Sequence, residues 1–282
     1  MTDDTFTPPH GLGLRPDSPD RRDRVLYRAV PNVDLLPDTA AAQHIRDTMP
    51  PPMDQGSVGA CVGYGTAQNA YAAMVRDSRR RPFLPSPVAL YLWARELGGY
   101  PQEDSGAEIR NGFRAMNKYG LPPMSNLKPR FEPRDLADER TGLFPPTSIW
   151  VRPVSASNFA DAERRQVVGY KKLPLLADML QCLADGRPVC FGFTMFRSFY
   201  DAYGNPRKII PMPRNGEREL GGHCVNGVDY DKPNRLFWCR NQWANAHEGS
   251  PDFALPFDYV AAYANDAWVS EGVEGAPVKL AA

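Results

Sequence analysis

Apolar residues recur at intervals of three and four along four stretches of the chain, a spacing that puts them on one face of a helix. The first stretch begins at Cys61, and the second begins at Ser86 and Pro87, two residue types that suit a helix start. The third ends at Gly120 and the fourth at Gly186, and glycine commonly ends helices. The predicted apolar stripes are Ala67, Ala70, Tyr71 and Met74; Leu90, Trp93, Ala94 and Leu97; Ile109, Phe113 and Met116; and Leu176, Met179, Leu180 and Leu183.

Strand-like runs are concentrated toward the C-terminus. Residues 188–196 form a short apolar and aromatic run. Two further runs, "HCVNGVDY" and "RLFWCRNQW", flank "DKPN", whose turn-forming residues predict a β-hairpin. Because helices come first and strands later, the sequence predicts an α+β protein with two segregated lobes and a site between them.

Composition narrows the classes of function. The 282 residues include 33 basic and 33 acidic side chains, and this balance argues against binding to nucleic acid or to an anionic membrane. No apolar run approaches the roughly 18 residues needed to cross a bilayer, and the first residues lack the apolar core of a secretory signal. We therefore expect a cytoplasmic protein, or one exported by a route without a Sec signal.

The cysteines give no sign of a disulfide framework or a metal site. Their number is odd, and neither a CxxC pair nor a Cys/His cluster at zinc spacing occurs. We therefore expect no metal and no cofactor, and most of the thiols should be small buried hydrophobes. The five cysteines are Cys61, Cys182, Cys190, Cys224 and Cys239.

Cys61 differs from the other cysteines because it lies at the predicted start of a helix. Unpaired amides and the helix dipole favour a thiolate there, so we expect its pKa to be lowered. A thiolate nucleophile needs a general base with an orienting partner. Of the four histidines, His223 opens an apolar strand, and the predicted hairpin returns Asn241 beside it, next to Trp243. The other histidines are His10, His44 and His247, the last in a polar loop.

These residues resemble the papain-like cysteine peptidases. The run Gly59-Ala60-Cys61 matches the G-[SA]-C part of the family signature, and "GGHCVNGVDY" and "RNQWANAHEGSPDFALPFDYV" look like the strands carrying the family's His and Asn. Gln55 stands six residues before Cys61, the position of the family's oxyanion glutamine. "GLGLRPDSPDRRDRVL" resembles openings of bacterial members, and the resemblance covers roughly residues 11–270.

The resemblance implies a cysteine endopeptidase that acts on a peptide or protein substrate. Cys61 would be the nucleophile, His223 the general base and acid, Asn241 the residue orienting the imidazole, and Gln55 an oxyanion donor. Residues 51–282 would be the peptidase domain, with a helical lobe over about 51–150 and a β-rich lobe over about 151–282. Residues 103–109 would line the substrate cleft.

Several positions depart from the family pattern. Val58 replaces a disulfide-forming cysteine and Val62 an aromatic residue, while Gly222, Gln242 and Ala244 differ around the His and Asn. None of these changes removes a catalytic group. Two alternatives stay open: a catalytically silent binding protein on the same fold, or a related acyl-transfer, amidase or deubiquitinase-type enzyme.

Residues 1–50 contain seven prolines and read as an extended N-terminal arm, not as an independent domain. The apolar run 25–36 is more than a solvated tail needs, and the arm ends just before the Gln55 loop. We expect part of this arm to pack on the body and restrict access to Cys61. A disordered N-terminus is the alternative.

Overall fold

The structure is a computed structural model that describes residues 6–26, 32–77, 81–244 and 250–275. Part of the apolar run 25–36, and the loop that carries His247, lie outside the described residues. The helices are α1 (Ile45–Thr48), α2 (Cys61–Arg76), α3 (Pro87–Gly98), α4 (Ile109–Lys118), α5 (Ala156–Glu163), α6 (Leu176–Ala184), α7 (Arg197–Tyr203) and α8 (Phe257–Tyr263). The strands are β1 (Leu14–Arg15), β2 (Ala107–Glu108), β3 (Arg165–Lys172), β4 (Val189–Phe196), β5 (Glu219–Asp231), β6 (Leu236–Arg240), β7 (Asp252–Pro256) and β8 (Ala264–Gly275).

The four predicted helices are confirmed as α2, α3, α4 and α6. Ser86 caps α3, since its hydroxyl accepts a hydrogen bond from the backbone N–H of Ala89. Gly120 and Gly186 follow the ends of α4 and α6 with positive φ, as predicted from their residue type. The prediction missed α1, α5, α7 and α8, which have only four to eight residues each and are too short to show a clear periodicity.

The predicted strand 188–196 and the hairpin are confirmed as β4 and the pair β5–β6. They belong to a six-stranded antiparallel sheet with the order β3-β8-β4-β5-β6-β7. The chain places β8 between β3 and β4, so the last described strand lies inside the sheet. The sequence did not predict β3, β7 or β8.

Two hydrophobic cores lie on the two sides of the molecule. The first is built mainly from α2, α3 and α4, with sheet residues such as Cys190, Cys224 and Trp268. The second combines other residues of the sheet with α6 and α8. α2 packs on β5 at very close range, because a Cβ at Gly65 would lie 2.9 Å from the sulfur of Cys224. This close approach brings the start of α2 beside the strand that carries His223. The predicted α+β, two-lobe fold class is confirmed.

Among the helices of the described residues, none is both long and apolar enough to cross a bilayer.

Candidate active site

Cys61 is the first residue of α2, and its side chain is completely buried. Burial raises the pKa of the Cys61 thiol to about 12, although backbone hydrogen bonds from Cys224, Gly13 and Val62 lower it in part. The expectation of a lowered pKa is therefore wrong for this arrangement, because the loss of solvent outweighs the amides at the helix start. The other four cysteines are also buried thiols.

His223 and Asn241 are in direct contact. Nε2 of His223 lies 2.9 Å from Oδ1 of Asn241, and the same Oδ1 accepts a hydrogen bond of 2.9 Å from the backbone N–H of Gln242. Since Oδ1 is thus an acceptor, Nε2 carries the proton and Nδ1 has the lone pair. Nδ1 of His223 is buried and has no hydrogen-bond partner among the described residues. The imidazole therefore has one nitrogen oriented by the amide and the other available as a base.

Burial also acts on the imidazole. It lowers the pKa of His223 to about 4, with the hydrogen bond to Asn241 raising it and His10 lowering it further. Trp243 stacks on the His223 ring with centroids 4.6 Å apart and so packs beside the His–Asn contact. His10 of the N-terminal arm also stacks on Trp243, at 4.4 Å. The arm therefore helps to enclose the aromatic cluster that contains the His223 imidazole.

Gln55 lies in the loop before α2 and is completely buried. Its Nε2 donates to the carbonyl oxygen of Gly11 at 2.8 Å and to that of Val58 at 2.9 Å. Its backbone N–H donates to the carbonyl oxygen of Gln242 at 3.0 Å. The side-chain amide that the resemblance assigns to the oxyanion thus binds a carbonyl of the arm.

The N-terminal arm runs through the groove beside Cys61. Leu14 and Arg15 form a short parallel ladder with Ala107 and Glu108, and the Ala107 N–H donates to the Gly13 carbonyl at 2.8 Å. A Cβ at Gly13 would lie only 1.6 Å from the Gly59 carbonyl oxygen, so only glycine fits there. Within 103–109, the residues predicted to line the cleft, the backbone thus pairs with an extended segment of this same chain.

Asp104 and Gln242 also contribute to the site, although no individual role was predicted for either of them from the sequence. The Asp104 carboxylate accepts from the backbone N–H of Gly59 at 3.0 Å and from the hydroxyl of Tyr91 at 2.7 Å, and it thereby links the loop before Cys61 to α3. The backbone N–H of Gln242 donates to Oδ1 of Asn241, and its carbonyl oxygen accepts from the backbone N–H of Gln55. Asp104 lies within the predicted cleft segment 103–109, and Gln242 is one of the departures from the family pattern, but no local pattern indicates the contacts that either side chain makes.

Comparison with known proteins gives the class. Xylellain, a cysteine protease from Xylella fastidiosa, superposes with a TM-score of 0.82 at 30% identity, over 94% of this chain and 97% of that one. An uncharacterised peptidase C1-like protein of Acanthamoeba polyphaga mimivirus is 28% identical over 232 residues, 78% of this chain and 70% of that protein. The procathepsin B S9 of Trypanosoma congolense shares the fold, with a TM-score of 0.67 at 13% identity, over 95% of this chain and 87% of that one. No family model matches the chain.

These similarities define a cysteine-type peptidase, a hydrolase. The chain belongs to the papain-like cysteine proteases.

Proposed function

We propose that this protein is a cysteine endopeptidase in which Cys61, His223 and Asn241 form the catalytic triad and Gln55 stabilises the oxyanion. The observation that carries the proposal is the contact between His223 and Asn241, which holds one imidazole nitrogen and leaves Nδ1 as a free base. The position of Cys61 at the start of α2, against the backbone of Cys224 next to His223, supports the pairing of sulfur and imidazole.

In the proposed reaction, His223 Nδ1 takes the thiol proton of Cys61 as the sulfur attacks the carbonyl carbon of the scissile peptide bond. The resulting oxyanion accepts hydrogen bonds from Nε2 of Gln55 and from the backbone N–H of Cys61. The C–N bond then breaks, and His223 gives its proton to the leaving amine. Water, activated by the same imidazole, hydrolyses the thioester and regenerates the thiol.

The test combines labelling with turnover. With residues 1–24 removed, iodoacetamide at about pH 6 should alkylate Cys61 ahead of the other four cysteines, and Cys61→Ala should abolish peptide hydrolysis without unfolding the protein. Cys182→Ala, a buried cysteine of α6, is the control and should keep its activity. Earlier labelling of Cys182 or Cys239, with Cys61 inert, would rule out the proposed nucleophile. Incorporation of an added amine in place of hydrolysis would favour acyl transfer.

We also propose that the arm restricts access to Cys61 by occupying the groove, so that the full chain is less active than a chain without it. The Gly11 carbonyl takes up the Gln55 amide, and the Gly13 carbonyl takes up the Ala107 N–H that would otherwise pair with an extended substrate. With Cys61 and His223 both buried, the raised and lowered pKa values keep both groups neutral near pH 7. Displacement of the arm would readmit water and remove the desolvation that opposes the thiolate–imidazolium pair.

Deletion of residues 1–24 tests this gating. Hydrolysis of a short peptide should rise above the rate of the full chain, while the melting temperature shows whether the body remains folded. If the two rates agree and trypsin cuts the full chain freely at Arg21, Arg22 and Arg24, the arm does not gate the site.

A further inference from the structure

Gln242 follows Asn241 and is completely buried beneath the proposed triad. Its backbone N–H donates to Oδ1 of Asn241 at 2.9 Å, and its carbonyl oxygen accepts from the backbone N–H of Gln55 at 3.0 Å. Its side-chain Nε2 donates to the carbonyl oxygen of Cys224, the residue after His223, at 2.7 Å. One residue thus bonds to two of the proposed catalytic residues and to the neighbour of a third.

The hydrogen bond from the Gln242 side chain to Cys224 lies just beyond the last backbone pair of β5 and β6. The ladder pairs Asn226 with Arg240, and β6 ends at Arg240. Continued in the same register, the two chains would set Cys224 opposite Gln242, and there the side-chain amide supplies a link in place of a backbone pair. His223 and Asn241 meet beyond the last backbone pair of β5 and β6. The distance between them therefore depends on hydrogen bonds other than those between the two strands.

The backbone N–H of Gln242 has a second effect. Because it donates to Oδ1 of Asn241, that amide keeps its oxygen toward the imidazole and does not flip. The proton therefore stays on Nε2 of His223, and the lone pair stays on Nδ1. An amide of the opposite orientation would meet Nε2 with a donor and favour the wrong tautomer.

We propose that Gln242 is a positioning residue of the peptidase: its side-chain amide holds the His223 strand at the separation from Asn241 that presents Nδ1 to Cys61. This inference rests on the proposed triad. Gln242 is the departure from the family pattern that borders the Asn, and its contacts give that departure a role.

If Gln242 had a purely structural role, its removal would have the same effect as removal of any other buried side-chain amide. Gln68 is the matched comparison, because it is also completely buried and its Oε1 accepts a 3.2 Å hydrogen bond from Asn226 of the same strand β5. No hydrogen bond among the described residues joins the Gln68 side chain to Cys61, His223, Asn241 or Gln55. The pair Gln242→Met and Gln68→Met therefore removes an amide of equal burial beside the site and away from it.

The experiment measures kcat, KM and the pH profile of Cys61 alkylation by iodoacetamide. Both variants are made in the full chain and compared with the full-length wild type. Gln242→Met should lower kcat by about ten- to a hundredfold, the range expected for a misplacement of up to about 1 Å. It should leave KM within about twofold and shift the alkylation profile along the pH axis. Gln68→Met should lower the melting temperature and leave kcat and the profile unchanged.

Gln242→Glu provides a second readout that a structural role would not move. A protonated carboxyl can donate its O–H to the Cys224 carbonyl, whereas an ionised one cannot, so kcat relative to the wild type should be restored at acid pH and fall as the carboxyl ionises. Gln242→Met should show a deficit that does not follow this titration.

Wild-type kcat and alkylation profile in Gln242→Met, or equal losses in Gln242→Met and Gln68→Met, would overturn the positioning role. So would a Gln242→Glu variant without any pH-dependent recovery. A wild-type chain that neither turns over peptide nor labels first at Cys61, even after the arm is removed, would overturn the proposed function and this inference with it.

Discussion

Two neighbouring parts of the N-terminal arm are bound to the body in different ways: residues 10–15, here called the groove half, and residues 17–24, here called the charged half. The middle of residues 10–15 is held through backbone groups at Gly11 and Gly13, which leave no room for a side chain at Gly13. At its two ends, the His10 ring stacks on Trp243 and the Arg15 guanidinium donates to the Ser105 hydroxyl. Residues 17–24 are held by side-chain charges. The Asp17 carboxylate accepts from the Arg110 backbone N–H at 3.1 Å, and the Arg110 guanidinium donates to the Ser18 carbonyl at 2.7 Å.

Because of this difference, one part of the arm occupies the active-site groove and the other part attaches the arm to the body. Neutral backbone contacts in the groove depend little on pH and salt. The charged half responds to both, because Asp17 lies beside Asp266 and its backbone N–H donates to that carboxylate at 2.6 Å. Asp266 in turn pairs with Lys172 at 2.6 Å. Under the proposed gating, the groove half blocks catalysis and the charged half sets the conditions under which the block is released.

Gln55→Ala should have the largest effect, because the arm and the substrate use the same amide. Loss of one oxyanion donor typically lowers kcat by about 10²–10³-fold. The same change removes the bond to the Gly11 carbonyl, so trypsin should cut the arm at Arg24 faster while turnover falls. Gln43→Ala, at an exposed glutamine, is the control. Unchanged kcat would show that Gln55 is not an oxyanion donor.

Gly13→Ala disturbs the contacts of the groove half and leaves those of the charged half unchanged. The new Cβ would lie 1.6 Å from the Gly59 carbonyl oxygen, and overpacking of this kind costs about 1–3 kcal/mol. If the cost is borne by displacing the arm, Cys61 alkylation should rise by about five- to a hundredfold. Thr7→Ala, an exposed position of the same arm, should leave the rate unchanged. A fall in melting temperature without faster alkylation would mean that the body, and not the arm, gives way.

The charged half should make arm release depend on pH. Burial raises the pKa of Asp17 to about 7, with Asp266 raising it further, and with Arg110, Trp268 and Lys172 lowering it. A carboxyl whose pKa is higher in the bound arm than its ordinary value near 3.8 takes up a proton on binding. The bound arm is therefore favoured in acid, and its attachment weakens as pH rises through about 7.

Other charged groups at this point act on the same carboxyls. Glu108 accepts from the backbone N–H and hydroxyl of Ser18, Arg110 pairs with Asp23 and Glu108, and Asp20 binds Arg22. The ratio of Cys61 alkylation in Asp17→Asn to that in the wild type isolates the Asp17 contribution, since the intrinsic pH dependence of the thiol cancels. The ratio should change between about pH 4 and 7 by at most about tenfold per pH unit. A ratio independent of pH would remove Asp17 from the gating.

Arg110→Gln should have the smallest effect. It breaks the ion pair with Asp23 of the arm, whose side chains are only 10% and 13% exposed, and the pair with Glu108 of the body. Because the Gln amide can still donate to the Ser18 carbonyl, arm release should rise only a few-fold. Added salt should produce a similar increase in the wild type and little further increase in Arg110→Gln. Arg114→Gln, one turn along α4, is the control. An effect of equal size in both variants would indicate a general loss of charge and not a specific anchor.

The sequence was sufficient for those parts of the molecule that depend on neighbouring residues. Periodic apolar positions and end residues located α2, α3, α4 and α6, and turn residues located the β5–β6 hairpin. The proposed chemistry came from a different source, the resemblance to a known family carried by the order of Gln55, Cys61, His223 and Asn241. The free energies behind these features are local, since a helix cap or a turn forms within a few residues of the chain.

The tertiary structure decided what depends on segments far apart in the chain. Local pattern could not reveal that β8 enters between β3 and β4, or that Gly11 lies on the Gln55 amide across 44 residues. The helix start at Cys61 correctly suggested amides around the sulfur, yet its pKa is raised, because the arm and the sheet exclude water. Desolvation depends on everything that surrounds a group, whichever part of the chain supplies it, and no short stretch of sequence contains that information.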